Sequence, residues 1–357
     1  MQKSNKLGAS EAKNSKPGFL DLASFLLSGL PQRSQEIVKK RFGLADSGIE
    51  TLEKIGNSYG ITRERVRQII TYAIKKIAEL SDAAEFKQAE ERIILEISRR
   101  DGIISEEKLI EKLGSDNLNE ANSIIFFAVC SDRIVGIEEK ELTKKSWALS
   151  KEVMVKVKDV AGIAKEVLTV SSTPLADIEM AEKVMVRKRE LSRNQILNYL
   201  DVLTEISRNK FGRWGFSKWM EINPKGTRER IHLVLKEKKK PLHFTEIAKL
   251  IDESGISKRK SHPQTVHNEL IKDSRFVLIG RGIYALREWG YAPGAIKDVL
   301  EEILKKSGRA MTKEDILAEV DKLRQVKKTT VMINLNNSDS FSKVDGKYDL
   351  KDRRRIS

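Results

Sequence analysis

The stretch that decides the fold near the N-terminus is residues 51–69, which read TLEKIGNSYGITRERVRQI. Its apolar residues recur at helical spacing on both sides of Gly60, and glycine readily adopts the left-handed backbone that ends a helix. Thr62 follows the turn, and its hydroxyl oxygen can cap a new helix. The pattern predicts two helices joined by a tight turn, with the second helix running from Arg63 to about Leu80.

The second of these helices carries a group of polar side chains near its N-terminus. Arg63, Glu64, Arg67 and Gln68 are three or four positions apart, so they share one face. A recognition helix enters the major groove of DNA with this end first. Arginine can donate two hydrogen bonds to guanine, glutamine can pair with adenine, and glutamate can accept a hydrogen bond from cytosine. The composition of this face therefore suits base recognition.

Upstream, an apolar stripe at helical spacing runs from Phe19 to Leu30, and Pro31 stands where a further helix would start. Downstream, a short helix after a small polar or β-prone stretch recurs four times, about 70 residues apart. Pairs of short β-prone segments follow, clearest at 133–137 with 146–149, 275–279 with 282–286, and 341–344 with 347–350. Three helices and a hairpin in so short a span are the winged-helix plan.

The expected fold class is therefore mainly α, with an N-terminal helix-turn-helix followed by tandem winged-helix domains, each of helices plus a small β-hairpin. The predicted segments are a disordered tail at 1–18, the helix-turn-helix at 19–82, and winged-helix-like units at 85–150, 151–222, 226–291 and 293–351. In the second of these units, Leu191–Ile206 predicts one long helix followed by a short wing.

The N-terminal segment, about residues 20–80, resembles region 4 of sigma-70 type RNA polymerase sigma factors. The shared sequences are RFGL at 41–44, the helix TLEEIG at 51–56 with Lys54 in place of the second acid, and GITRERVRQI at 60–69 without change. The family usually continues with glutamate, where this chain has Ile70. In that family the second helix reads the −35 promoter element, and the more N-terminal helices grip the flap of the polymerase β subunit.

This resemblance assigns roles position by position. It implies that Arg63, Glu64, Arg67 and Gln68 contact base edges, and that Thr62, Arg65 and Lys75 contact phosphates. The implied partners are double-stranded DNA and the β flap of RNA polymerase.

A second resemblance lies at about 226–290, which is similar to a HARE-HTH domain, a winged-helix module that also occurs in the delta subunit of some bacterial RNA polymerases. It is carried by PLHFTEIA at 241–248, the helix around 265–271, the strands from Phe276 to Leu286, and Trp289. The family implies association with nucleic acid or with polymerase. Lys258, Arg259 and Lys260 precede the expected recognition helix and suit phosphate, as does Arg281 at the tip of the hairpin. A solvated loop, or a module that binds protein, remains the alternative.

Composition agrees with a polyanionic partner. The 357 residues include 67 Lys and Arg against 52 Asp and Glu, a net charge of +15. No apolar run approaches the roughly 20 residues that span a bilayer, so no membrane partner is expected. The single cysteine, Cys130, lies in an apolar run and is expected to be a buried core thiol. A reducing cytoplasm, at the nucleoid, is the expected location.

Catalytic chemistry has no visible support in the sequence. The four histidines are scattered, with no zinc-ligand spacing, and there is no Walker loop, GxGxxG or Ser-His-Asp grouping. We therefore expect no catalytic residues, no metal, no cofactor and no enzyme activity. In particular, the sequence lacks the carboxylate cluster that a nuclease would need.

Two functions remain open. The first is a sequence-specific bacterial transcription regulator, whose sigma-like helix reads a −35-like element in the major groove while the winged helices add DNA or polymerase contacts. The alternative is a non-enzymatic polymerase accessory protein, delta-like or flap-binding, with little sequence specificity. A monomer is favoured in either case. Removing Arg67 should relax sequence preference in the first and weaken binding to every sequence equally in the second.

Overall fold

The computed structural model describes residues 17–45, 48–114, 117–291, 296–323, 326–337 and 339–352. The chain divides into two compact units, residues 1–207 and 208–357. The predicted tail at 1–18 lies outside the described residues except for Pro17 and Gly18. The fold class predicted from the sequence, mainly α with helix-turn-helix domains and small antiparallel sheets, is confirmed by the elements of both units.

The first unit opens with four helices: α1 (Phe19–Leu27), α2 (Gln32–Phe42), α3 (Leu52–Tyr59) and α4 (Arg63–Ala78). Thr51 and Thr62 are the N-caps of α3 and α4, and each hydroxyl oxygen accepts a backbone N–H from three residues ahead, at 3.2 Å. On α4 the buried residues Val66 and Ile70 pack with Ile37 and Ile55. Ile70 is thus a core residue, which explains an apolar side chain where the resembled family has glutamate.

The next elements build a first winged helix. They are α5 (Ala84–Ser98), β1 (Ile103–Ser105), α6 (Glu106–Leu113), α7 (Leu118–Cys130), β2 (Val135–Ile137) and β3 (Ser146–Ala148). The three strands form an antiparallel sheet in the order β1-β3-β2. The strand pair predicted at 133–137 and 146–149 is therefore confirmed.

One hydrophobic core joins this winged helix to α1, α2 and α4. Its members include residues of α1, α2, α4, α5 and α7, among them Phe127. The ring of Phe127 is 6.2 Å from that of Phe19, 5.8 Å from Phe86 and 5.7 Å from Phe126, measured between centroids. Cys130 belongs to the same core, as predicted, and burial raises the pKa of its thiol. The predicted segments 19–82 and 85–150 thus share an interior.

Polar groups reinforce the junctions of α7 with α1 and with the end of α2. The carboxylate of Glu120 accepts the backbone N–H groups of Phe19 at 2.5 Å and Leu20 at 2.8 Å, so a residue of α7 caps the start of α1. The buried amide of Asn122 donates to the carbonyl of Gly43 at 2.9 Å. Each of these hydrogen bonds joins a residue of 19–82 to a residue of 85–150. Separating the two segments would therefore leave their donors and acceptors without partners.

The first unit continues with α8 (Val153–Ser171), β4 (Leu175–Ala176), α9 (Asp177–Met185), α10 (Arg193–Asp201) and β5 (Ile206–Arg208), which reaches the boundary between the units. The prediction of one long helix over Leu191–Ile206 is wrong. The helix ends at Asp201, and the next backbone groups pair with the β2–β3 loop instead: Lys144 N–H donates to the Val202 carbonyl and Thr204 N–H to the Leu142 carbonyl. Buried Val202 and Leu203 mark this tertiary contact, which overrides local helix propensity.

The second unit starts with β6 (Arg213–Phe216) and holds two winged helices. One consists of α11 (Thr227–Lys238), β7 (Leu242–His243), α12 (Phe244–Glu253), α13 (Pro263–Lys272), β8 (Phe276–Gly280) and β9 (Ile283–Leu286), with sheet order β7-β9-β8. The other consists of α14 (Ile296–Ser307), β10 (Met311–Thr312), α15 (Lys313–Leu323), α16 (Lys328–Asn337), β11 (Phe341–Val344) and β12 (Lys347–Leu350), with order β10-β12-β11. Each has its own core. Both predicted hairpins are confirmed.

Candidate nucleic-acid interface

The side chains predicted to contact bases all lie on the solvent side of α4. Arg63, Glu64, Arg67 and Gln68 are exposed, whereas Val66 on the opposite side is fully buried. The helix therefore offers its first two turns to a ligand without giving up any core contact. This is the part of the helix that a major groove admits.

These side chains are already paired with each other. The Glu64 carboxylate accepts two hydrogen bonds from Arg67, from Nε at 2.8 Å and from Nη2 at 2.6 Å. This contact lowers the pKa of Glu64 and raises that of Arg67. Arg65 donates to the Gln68 side-chain oxygen at 3.1 Å. Because both pairs are open to water they are weak, and neither ties these side chains to the buried core.

The three predicted phosphate contacts of the first unit surround this face. Thr62 uses its hydroxyl oxygen as the N-cap acceptor, which leaves its O–H free to donate to a phosphate. Arg65 is exposed one residue beyond Glu64, and Lys75 is exposed in the last turn of α4. Lys75 follows Gln68 by seven residues, about 10 Å along the helix axis. The structure therefore places Arg65 and Lys75 along the same helix as the side chains predicted to contact bases.

The turn between α3 and α4 depends on two glycines. Gly60 ends α3 with φ +62°, the left-handed conformation predicted from the sequence. Gly56 lies inside α3, where the chain of the turn crosses it closely. A Cβ atom at Gly56 would be 2.6 Å from the carbonyl oxygen of Ile61, which is backbone and cannot rotate away. The close approach of the two helices thus requires a residue without a side chain at 56.

Gly56→Ala is therefore expected to lower the free energy of unfolding by about 1–3 kcal/mol, because the methyl group forces the turn apart. It should also weaken DNA binding, since the turn positions the N-terminus of α4. The control is Gly162→Ala, another glycine inside a helix, where a Cβ atom meets nothing within 4 Å. That change should stabilise the protein by roughly 0.5–1 kcal/mol. Denaturant unfolding followed by circular dichroism measures both, and a stabilised Gly56→Ala variant would contradict this account of the turn.

The sequence did not identify the groups that brace the turn from α2. Arg33 donates to the Tyr59 carbonyl at 2.9 Å, and the Tyr59 hydroxyl donates to Glu36 at 2.8 Å. Burial and the neighbouring Glu36 carboxylate raise the pKa of Tyr59 to about 12. The contacts cross 23 and 26 residues of sequence, so no local spacing could have revealed them.

The second unit places the other predicted phosphate contacts at two positions of one winged helix. Lys258, Arg259 and Lys260 are exposed in the loop between α12 and α13, and Arg281 is exposed in the turn between β8 and β9. The loop is held by two hydrogen bonds: Ser261 N–H donates to Asp252 at 2.7 Å, and the Ser257 hydroxyl donates to the Arg259 carbonyl at 2.7 Å. The cations therefore project from an anchored loop.

Other kinds of site have no candidate among the residues described. In that part of the chain no three histidine, cysteine, aspartate or glutamate side chains come together as a metal site would require. None of its helices combines the length and apolar character needed to cross a bilayer.

A capped helix exposed after a tight turn, together with a winged helix that carries a basic loop, is typical of helix-turn-helix DNA-binding proteins. Comparison with known families gives two matches. Residues 26–79 match the sequence model of "Sigma-70, region 4", and residues 227–289 match that of HARE-HTH, a helix-turn-helix domain whose description includes "restriction endonuclease HTH domain". Both resemblances inferred from the sequence are confirmed, and together they support a DNA-binding role for the chain.

Similar proteins include the RNA polymerase sigma factor SigA of Listeria monocytogenes, of Listeria innocua and of a Bacillus species. Each is 39% identical to this chain over 62 residues, which is 17% of this chain and 17%, 17% and 16% of the respective relative. The chain thus matches about one sixth of the length of these relatives. The likeness concerns the helix-turn-helix segment alone.

Proposed function

We propose that this protein is a sequence-specific, double-stranded DNA-binding regulator of bacterial transcription, with α4 reading a −35-like element in the major groove. The observation that carries this proposal is the exposed, N-capped start of α4, where Arg63, Glu64, Arg67 and Gln68 share one face. Arginine suits guanine, glutamine suits adenine and glutamate suits cytosine. Thr62, Arg65 and Lys75 bind the flanking phosphates.

The second unit adds phosphate contacts through Lys258, Arg259, Lys260 and Arg281. Several weak basic modules on one chain raise the effective concentration of each at the DNA after the first has bound. The net charge of +15 favours this association through release of counterions from the duplex. The protein acts by binding and not by catalysis, as a monomer in the cytoplasm at the nucleoid.

The alternative is an accessory protein that docks on the β flap of RNA polymerase through its N-terminal helices. One observation weighs against it. The apolar face of α1 is buried in the shared core with α5 and α7, including Phe19, Leu22 and Leu26. Among the described large apolar side chains of α1, Phe25 is the one that is mostly exposed. Little of α1 is left for a second protein, which favours DNA as the main partner of this segment.

The test is selection of bound sequences from a random duplex library by the full chain at near-physiological salt. We expect an enriched motif resembling a −35 element, and its loss when Arg63, Arg67 and Gln68 are all changed to alanine. Arg99→Ala is the control, because Arg99 is an exposed arginine just after α5, remote in sequence from the turn. No enrichment, with binding that merely falls as salt rises, would overturn the proposal and favour the polymerase-accessory function.

A further inference from the structure

The third helix of a winged helix is the element that usually meets DNA, and the helices in this position differ in what surrounds them. The first, α7, is buried against α1 through Phe126 and Phe127. The second, α10, carries Asn198, whose amide donates to Asp101 of the preceding winged helix at 2.7 Å. The fourth, α16, exposes apolar Ile333. The third, α13, presents an uncharged polar face over its first two turns and exposes apolar Ile271 after it.

That face consists of amide and hydroxyl side chains. Gln264, Thr265 and Asn268 are exposed, while Val266 and Leu270 on the other side are buried in the core. Gln264 Nε2 donates to Asn268 Oδ1 at 3.3 Å, so the two amides lie side by side. The pair still offers the Gln264 oxygen as an acceptor and the Asn268 nitrogen as a donor. An amide that donates and accepts together is complementary to N7 and N6 of adenine in the major groove.

The cations next to this face differ from other cations of the same winged helix. Arg228 and Lys272 both pair with Glu269, and Lys249 pairs with Glu253. In the described structure no carboxylate lies within ion-pair distance of Lys258, Arg259 or Lys260, which closely precede α13. This combination suits duplex DNA. The cations can bind the phosphates that flank the groove, while the uncharged amides contact the bases inside it.

We propose that α13 is a second base-reading helix, with Gln264 and Asn268 recognising adenine and Lys258, Arg259 and Lys260 binding the adjacent phosphates. This rests on the proposed function only in taking duplex DNA as the ligand, since α13 and α4 read separate sequences. The full chain therefore recognises a bipartite site.

The experiment is selection from a random duplex library with the full chain and with two sets of variants. We expect two motifs from the unmodified protein, the second containing an essential A·T pair. Gln264→Ala with Asn268→Ala should abolish the second motif and keep the first. The alanine variant of Arg63, Arg67 and Gln68 should do the reverse, so failure of α4 and failure of α13 are distinguishable. Asn223→Ala, an exposed amide outside α13, should change neither.

Affinity measurements complete the test. Replacing the essential A·T pair should weaken binding about 5- to 150-fold in the unmodified protein and not in the Gln264 and Asn268 variant. Changing Lys258, Arg259 and Lys260 to alanine should weaken binding to all duplexes. It should also lower the slope of log affinity against log salt by the equivalent of about three phosphate contacts. A second motif that survives loss of both amides, the absence of any second motif, or an unchanged salt dependence would overturn the proposal.

Discussion

Phe127→Ala is expected to lower the free energy of unfolding by about 3–5 kcal/mol and to destabilise the helix-turn-helix together with the winged helix. The ring is fully buried and meets three other phenylalanines, from α1, α5 and α7 itself. Removing it opens a cavity at the point where the two segments join. The loss therefore cannot be confined to the winged helix in which the residue lies.

Hydrogen exchange during denaturant unfolding measures this directly. Amides of α4 and of α5 should lose protection together in Phe127→Ala, because both helices contribute side chains to the shared core. Phe25→Ala is the matched control, because it removes the same side chain from an exposed position on α1 and should change stability by less than about 0.5 kcal/mol. If α5 lost protection while α4 kept it, the shared core would not be a cooperative unit.

Arg67→Ala is expected to cost about 1–3 kcal/mol of binding on the preferred site and to relax sequence preference at the base it contacts. Arg67 donates two hydrogen bonds to Glu64, so its loss also frees the Glu64 carboxylate. That carboxylate then faces the groove without its counter-charge and repels the phosphates. The loss on the preferred site should exceed the loss on unrelated duplexes, since the base contact is lost only there.

Competition binding with a panel of single-base variants of the selected site separates these effects. Arg99→Ala is a close control, since Arg99 is exposed and also pairs with a glutamate three residues earlier, Glu96. Its Kd for every duplex should stay within about twofold of that of the unmodified protein. If Arg67→Ala weakened binding to all duplexes by the same factor, that result would instead indicate that Arg67 contacts a phosphate.

The helix-turn-helix could be predicted because its determinants are local. Thr51 and Thr62 cap the helices that follow them, and Gly60 ends α3, each within four residues of its partner. The wings at 276–286 and 341–350 could be predicted for the same reason, since their strands adjoin a turn. The end of α10 could not, because Val202 and Thr204 bond to the loop at Leu142 and Lys144, some 60 residues earlier. The domain limits remain predictions.

The candidate site divides in the same way. The exposed face of α4 follows from the three- and four-residue spacing of its side chains, whereas their roles at DNA remain predictions. The amide pair Gln264 and Asn268 has that spacing too, and its place opposite the apolar residues Val266 and Leu270 could have revealed it. What no spacing reveals is that α1 covers α7. The apolar residues of α7 predict a buried helix, but only the folded chain shows that α1 packs against them.

The capping of α1 by Glu120 has a consequence for synthesis of the chain. Glu120 is 101 residues beyond Phe19, the first residue that it caps. At the usual rate of about 5–20 residues per second, a ribosome adds Glu120 roughly 5–20 s after Phe19. Until α7 has emerged, the apolar side of α1 lacks the helix that covers it in the folded chain. We expect nascent chains stalled before residue 118 to be cut by protease within α1, and chains stalled well beyond Cys130 to resist. The helix-turn-helix segment is therefore translated early, and its packing is completed late.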